Sequence, residues 1–140
     1  METKFNSQIA TSRSQSERLL ALGLKKETAD MVWTHAYYGT WVVTASENPL
    51  YEDSDSVPAW SLGRLVEMLP STIKLKEDLP TFYPYADLGL TKVSVDYHWS
   101  DYDTEERNLV GFYGNGFFSA VVDAIAWLIK EGYFNKEYLV

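Results

Sequence analysis

In the stretch 58–70 the apolar residues Leu62, Leu65, Val66 and Leu69 fall at i, i+3, i+4 and i+7, which places them on one face of a helix. Proline disfavours helical backbone at the residue before it, so Pro70 closes the element and the pattern predicts a helix over about 59–69. A second helix is signalled nearer the N-terminus, where Ser14-Gln15-Ser16-Glu17 reads as a capping box ahead of Arg18-Leu19-Leu20-Ala21-Leu22. Gly23 followed by Leu24 suits a left-handed stop in which Leu24 packs back on Leu19. With a start one turn earlier, at Thr11 or Ser12, this helix covers about 12–22. The last element, about 120–131, is apolar nearly all round, with Asp123 and Lys130 as exceptions. Such a helix has to be covered on most sides, either as the centre of the domain, the favoured reading, or as the contact of a homo-oligomer. Gly132-Tyr133 repeats the glycine-plus-apolar stop and should fold Tyr133 back over the last turn.

Between these helices the period changes to two. Val93, Val95, Tyr97 and Trp99 alternate with Lys92, Ser94, Asp96 and His98, which predicts a strand with one buried and one solvated face. A polar turn leads to a second aromatic-rich segment at 107–113, and Asn115-Gly116 then precedes Phe117-Phe118. Asn-Gly between two such segments predicts a hairpin whose type I′ turn holds Gly116 at positive φ. A short strand at Thr72-Ile73-Lys74-Leu75-Lys76 joins the same sheet, and 45–57 reads as a long loop. The expected architecture is α+β, an antiparallel sheet of three to five strands, mostly in the second half, covered by about three helices in a single domain, 1–140.

Charge sharpens this picture. The net charge of -8 is concentrated in two segments without a basic residue, 28–63 with Asp30, Glu47, Glu52, Asp53 and Asp55, and 93–106 with Asp96, Asp101, Asp103, Glu105 and Glu106. Such a chain repels phosphate and offers few cations to displace counterions, which argues against nucleic acid as a partner. If the loop around Asp53 and the turn around Asp101 share one side, then Glu52, Asp53, Asp55, Asp101 and Asp103 form an acidic patch for a basic partner; two separate solvated loops are the plain alternative. The chain holds no cysteine, so disulfides and thiolate chemistry are excluded. Its longest apolar stretch, 117–129, is interrupted and short of the roughly 18 to 20 residues of a membrane span. The opening residues lack the apolar core of a signal peptide, so a cytoplasmic protein with no membrane partner is expected.

Candidate chemistry is thin. His35 and His98 stand far apart, with no zinc-ligand spacing around them; His98 is expected on the solvated strand face and His35 to pack among aromatics. Asp101-Tyr102-Asp103-Thr104-Glu105 resembles the opening of a calcium loop, but Glu106 stands where glycine is required and Phe112 where a bidentate glutamate is required. Gly111, Gly114 and Gly116 match neither phosphate-loop spacing and are better explained by the hairpin and by close backbone approach. Twenty carboxylates allow many acid–base pairs, and only folding decides which meet. Phe82-Tyr83-Pro84-Tyr85 forms either an exposed aromatic platform or, as is commoner for such a Pro-restricted segment, part of the core. No catalytic residue, metal or cofactor is assigned.

Several short motifs run through the chain: Ser16-Glu17-Arg18-Leu19-Leu20 with Gly23-Leu24, Thr28-Ala29-Asp30-Met31, Pro58-Ala59-Trp60-Ser61-Leu62-Gly63-Arg64-Leu65 with Glu67-Met68-Leu69-Pro70, and Asp123-Ala124 with Trp127-Leu128 and Gly132-Tyr133. Taken together they resemble a family of hypothetical proteins from gut anaerobic bacteria and their phages or mobile elements. The resemblance implies a bacterial cytoplasmic setting and no reaction. The expectation is an acidic interaction protein without catalytic activity that binds an unidentified protein partner, a basic one by charge. The alternative is a small enzyme with a carboxylate-based site.

Overall fold

The computed structural model describes residues 8–35, 39–46, 55–75, 81–88, 93–100, 106–114 and 116–140. The first helix, α1 (Arg13–Ala21), starts two residues before the Ser14 capping pattern, with Ser12 as its cap, in keeping with the earlier of the two expected starts. Ser12 caps it by accepting from the Gln15 backbone N–H, and the Gln15 side chain returns the bond to Ser12. Its end follows the glycine signal. Gly23 has φ of +99°, and the N–H groups of Gly23 and Leu24 donate to the carbonyls of Leu20 and Leu19, the paired bonds of a Schellman stop.

A three-stranded antiparallel sheet follows, ordered β2-β1-β3 from β1 (Met31–His35), β2 (Trp41–Ala45) and β3 (Val57–Ala59). This sheet in the first half of the chain was not anticipated, because its strands are short and Trp33, Thr34 and Trp41 do not alternate cleanly with polar residues. Ala59, taken for the start of a helix, closes β3 instead. The helix α2 (Leu62–Met68) begins after it, capped by the Ser61 hydroxyl, which accepts from the Arg64 N–H. The four-residue apolar stripe of this helix is split. Leu65 and Met68 enter the core, whereas Val66 is 51% exposed, because the helix meets the core along the Leu65–Met68 line and leaves its Leu62–Val66–Leu69 flank to one side.

The second sheet is antiparallel and ordered β4-β5-β6-β7, from β4 (Ile73–Lys74), β5 (Thr81–Leu88), β6 (Val93–Ser100) and β7 (Glu106–Gly114). The helix α3 (Phe117–Glu131) covers its inner face. The core gathers Leu19, Trp60, Leu65, Tyr97, Ile125 and Leu128. The architecture is α+β, as the periodicity implied.

The Asn-Gly hairpin is not formed. Asn115 lies outside the described residues, but Gly116 has φ of -164°, ordinary extended backbone, and serves as the N-cap of α3. The local turn signal yields to the apolar positions Phe118, Val121, Val122, Ile125 and Leu128, whose helical spacing buries them against the sheet. Gly114 has a different duty: a Cβ there would lie 3.1 Å from the Ser119 Cβ and 3.3 Å from the Ala120 backbone nitrogen, so the absence of a side chain lets the helix turn directly off the strand. The far end of α3 stops as the sequence implied, with Gly132 left-handed and the Tyr133 N–H donating to the Leu128 carbonyl at 2.9 Å.

One buried set of hydrogen bonds joins these parts. The Thr11 N–H donates to the Trp60 carbonyl at 2.8 Å and the Trp60 N–H donates to Thr11 Oγ1 at 3.1 Å. The Thr11 carbonyl accepts from Trp33 Nε1, and its hydroxyl pairs with that of Ser16, both at 2.8 Å. The Trp60 indole donates to Thr28 Oγ1 at 2.9 Å, while the Thr28 carbonyl accepts from Arg64 Nε at 2.8 Å. Asp30 accepts from both the backbone and the hydroxyl of Ser61. The motifs at 28–31 and 58–65 are therefore one structural unit.

Leu65 is fully buried, as expected. Trp127 is only partly buried, packed at the margin of the core between Phe112 at 6.1 Å and Tyr133 at 5.6 Å between ring centroids. Leu65→Ala should accordingly lower unfolding stability by about 2–5 kcal/mol. Trp127→Ala should cost less than the roughly 3–5 kcal/mol typical of a buried tryptophan. Denaturant unfolding of both variants checks the order.

Candidate functional site

β6 lies between β5 and β7, so both of its edges are paired. Val95 and Tyr97 point to the inner face against α3, where Tyr97 is fully buried and its hydroxyl donates to the Pro70 carbonyl at 2.7 Å. Burial pushes the Tyr97 phenol above the ordinary tyrosine range, so it remains a donor at physiological pH. The alternate residues Ser94, Asp96 and His98 point to the outer face. Strand register sets Tyr85 opposite Asp96 and Tyr83 opposite His98 on β5, and Tyr113 opposite Ser94 and Gly111 opposite Asp96 on β7. A one-residue register shift after Tyr97 follows on β7.

This outer face was expected to be solvated, but Ser94 and Asp96 are buried. The reason is the central position of β6, with large side chains from both flanking strands standing beside its polar residues. Asp96 is only 8% exposed and is the single buried charged residue among those described. Ser94 donates its hydroxyl to Asp96 Oδ2 at 3.0 Å. Asp96 Oδ1 is buried with no hydrogen-bond partner; the other two such side-chain atoms among the described residues are the neutral hydroxyls of Thr34 and Thr44. The free oxygen lies over Gly111. A Cβ at that position would be 2.3 Å from Asp96 Oδ1 and 3.4 Å from the Tyr113 hydroxyl, so the glycine makes the space in which the carboxylate sits.

Around this carboxylate the surface is aromatic. Tyr83, Tyr85 and Tyr113 are 55%, 52% and 64% exposed, and His98 meets Tyr85 edge-on at 5.0 Å between ring centroids. The platform reading of the 82–85 segment thus holds over the core reading for its tyrosines, while Phe82 alone is buried. Alternation within β5 explains the split, since residues 83 and 85 share the outer face. His35 packs against Trp41 at 3.9 Å, in keeping with a packing role.

An apolar groove of about 460 Å³ lies on the other side of β5, where Leu62, Val66 and Leu69 of α2 face Pro84 and Ala86 across the start of α3. Tyr85 lines it as well. The exposed flank of α2 and the two inner-face residues of β5 are therefore one continuous apolar surface.

Of the five carboxylates suggested by charge, Asp55 is exposed at the turn before β3, and Glu52, Asp53, Asp101 and Asp103 lie outside the described residues. Asp96, counted in the same acidic segment but assigned to a wet face, is the one that folding sets apart. Its signal in the sequence was its place between Val95 and Tyr97 in a strand with a strand on either side, which needs the pairing to be known. Among the described residues no three His, Cys, Asp or Glu side chains gather as metal ligands, and no helix is long and apolar enough to cross a membrane. No family model, curated protein or solved structure matches the chain.

A buried carboxylate oxygen without a donor costs stability. Asp96→Asn should therefore leave the fold intact and hold or raise the unfolding midpoint, by up to about 1–3 kcal/mol in stability. Thermal unfolding of the variant checks this; a clear loss would mean that the Ser94 bond outweighs the unpaired charge.

Proposed function

We propose that this chain is a protein-binding module without a catalytic centre, and that its partner is a basic protein received on the outer face of the four-stranded sheet. The observation that carries the reading is Asp96, a carboxylate with one oxygen buried and unpaired beneath exposed tyrosines. A cationic side chain entering there supplies the missing donor. Guanidinium groups also stack on tyrosine rings, and a net charge of -8 draws basic surfaces toward the protein. Tyr113 is the most exposed of the three tyrosines and has the least packing to lose if it swings aside.

A carboxylate-based enzyme is the weaker reading, because the Ser94 hydroxyl is given to Asp96 and His98 is turned edge-on to Tyr85. The family resemblance noted above supports a bacterial cytoplasmic setting.

Titration calorimetry with a ten-residue peptide of alternating arginine and serine tests the proposal. Losing a hydrogen bond to a charged group costs about 1.5–3 kcal/mol, so Asp96→Asn should weaken binding about 10- to 100-fold. The charge-matched variant Glu131→Gln, on the exposed end of α3, should change it little. Added salt should weaken the wild-type complex through screening. Equal effects of the two substitutions would reduce the interaction to general charge attraction and remove Asp96 from the reading.

A further inference from the structure

The edge of β5 that faces away from β6 is paired with β4 at only two positions, Ile73 with Phe82 and Lys74 with Thr81. From Tyr83 to Leu88 this edge has no strand partner among the described residues, whereas the other edge is paired with β6 throughout. Proline in a strand sits where its missing N–H would face away from the ladder, so Pro84 indicates that residues 84, 86 and 88 turn their backbone groups to the open side. Ala86 and Leu88 then offer an N–H and a carbonyl each, and Pro84 a carbonyl. An open edge of this kind is a template for a further strand.

The two faces beside this edge differ in chemistry. On the inner side lies the apolar groove, with Pro84 and Ala86 facing Leu62, Val66 and Leu69. On the outer side stand the exposed rings of Tyr83 and Tyr85, with Asp96 one strand further in. A strand has period two, so any strand laid along β5 must send alternate side chains to these two environments.

We propose that the partner engages this edge through an extended segment of alternating apolar and basic residues, which adds to the sheet as a strand beside β5. Its apolar residues enter the groove, and its arginines stack on Tyr83 and Tyr85. The chain itself shows the pattern this edge accepts. β4, paired to the same side of β5, buries Ile73 in the core and leaves Lys74 exposed. A second copy of this chain is a poor occupant, since each copy carries -8 and would bring like-charged faces together. The inference rests on the reading of a basic partner and adds how that partner is held.

Three peptides separate the two ideas: eight residues of alternating arginine and valine, the same residues in two blocks of four, and the alternating arginine–serine peptide. The alternating arginine–valine peptide should bind at least about tenfold tighter than the block peptide, a difference of about 1.4 kcal/mol. It should also slow hydrogen exchange at the Ala86 and Leu88 amides, read by nuclear magnetic resonance. Val66→Glu, a change at an exposed groove position, should abolish the advantage of the alternating peptide. Equal affinity of the two arginine–valine peptides, or unprotected amides, would overturn strand addition while leaving Asp96-dependent binding of the arginine–serine peptide in place. If that dependence is absent too, the basic-partner reading falls with it. Sedimentation that finds a dimer of the free protein, dissolved by Val66→Glu, would put a second copy in the groove and overturn the proposed occupant.

Discussion

Trp60 is enclosed on every side, and its indole N–H, backbone N–H and carbonyl would each cost about 1–3 kcal/mol if buried unpaired. Thr11 and Thr28 satisfy all three. Because Thr11 precedes α1, Thr28 precedes β1 and Trp60 joins β3 to α2, the same bonds fix those elements relative to one another. The placement then passes outward. The chain leaving α2 reaches Pro70, whose carbonyl receives the Tyr97 hydroxyl, and Tyr97 is the neighbour of Asp96 in β6. The knot at Trp60 is thus linked, through one helix and one phenol, to the strand that carries the candidate site. Exposed ion pairs add little to this frame: Arg18 and Asp123 meet at 2.6 Å across α1 and α3 with both side chains about half solvated, where such pairs contribute on the order of 0–1 kcal/mol.

What could be read in advance was what local chemistry dictates. The Gly23 and Gly132 stops, the helical register of Leu65 and the alternation of Val95 with Tyr97 all follow from residue type and spacing. What could not be read depended on neighbours distant in sequence. Asn115-Gly116 carries a sound local turn signal, yet a run of buried apolar positions downstream claims the backbone for a helix. Ser94 and Asp96 look solvated until β5 and β7 are known to flank them. Val66 sits in the same apolar stripe as Leu65, and only the direction from which the core meets α2 decides that one is buried and the other is not. The strands at 31–35 and 41–45 were missed for the same reason, since their side chains find partners across the sheet rather than along the chain.

The motifs at 28–31 and 58–65 and the residues of the candidate site occupy different places. Thr28, Asp30, Trp60, Ser61 and Arg64 hydrogen-bond to one another and build the frame, whereas Tyr83, Tyr85, Asp96, Gly111 and Tyr113 lie on a sheet face that none of those motifs includes.

Gly111 gives that separation a sharp form. The carboxylate of Asp96 lies where any side chain at 111 would have to be, so its position is set by an absence on the neighbouring strand. Alanine there would push the acid from its seat, so a residue of β7 decides where the charge carried by β6 stands. In genetic terms, one base change in a glycine codon is enough to move that charge, and one change back restores it.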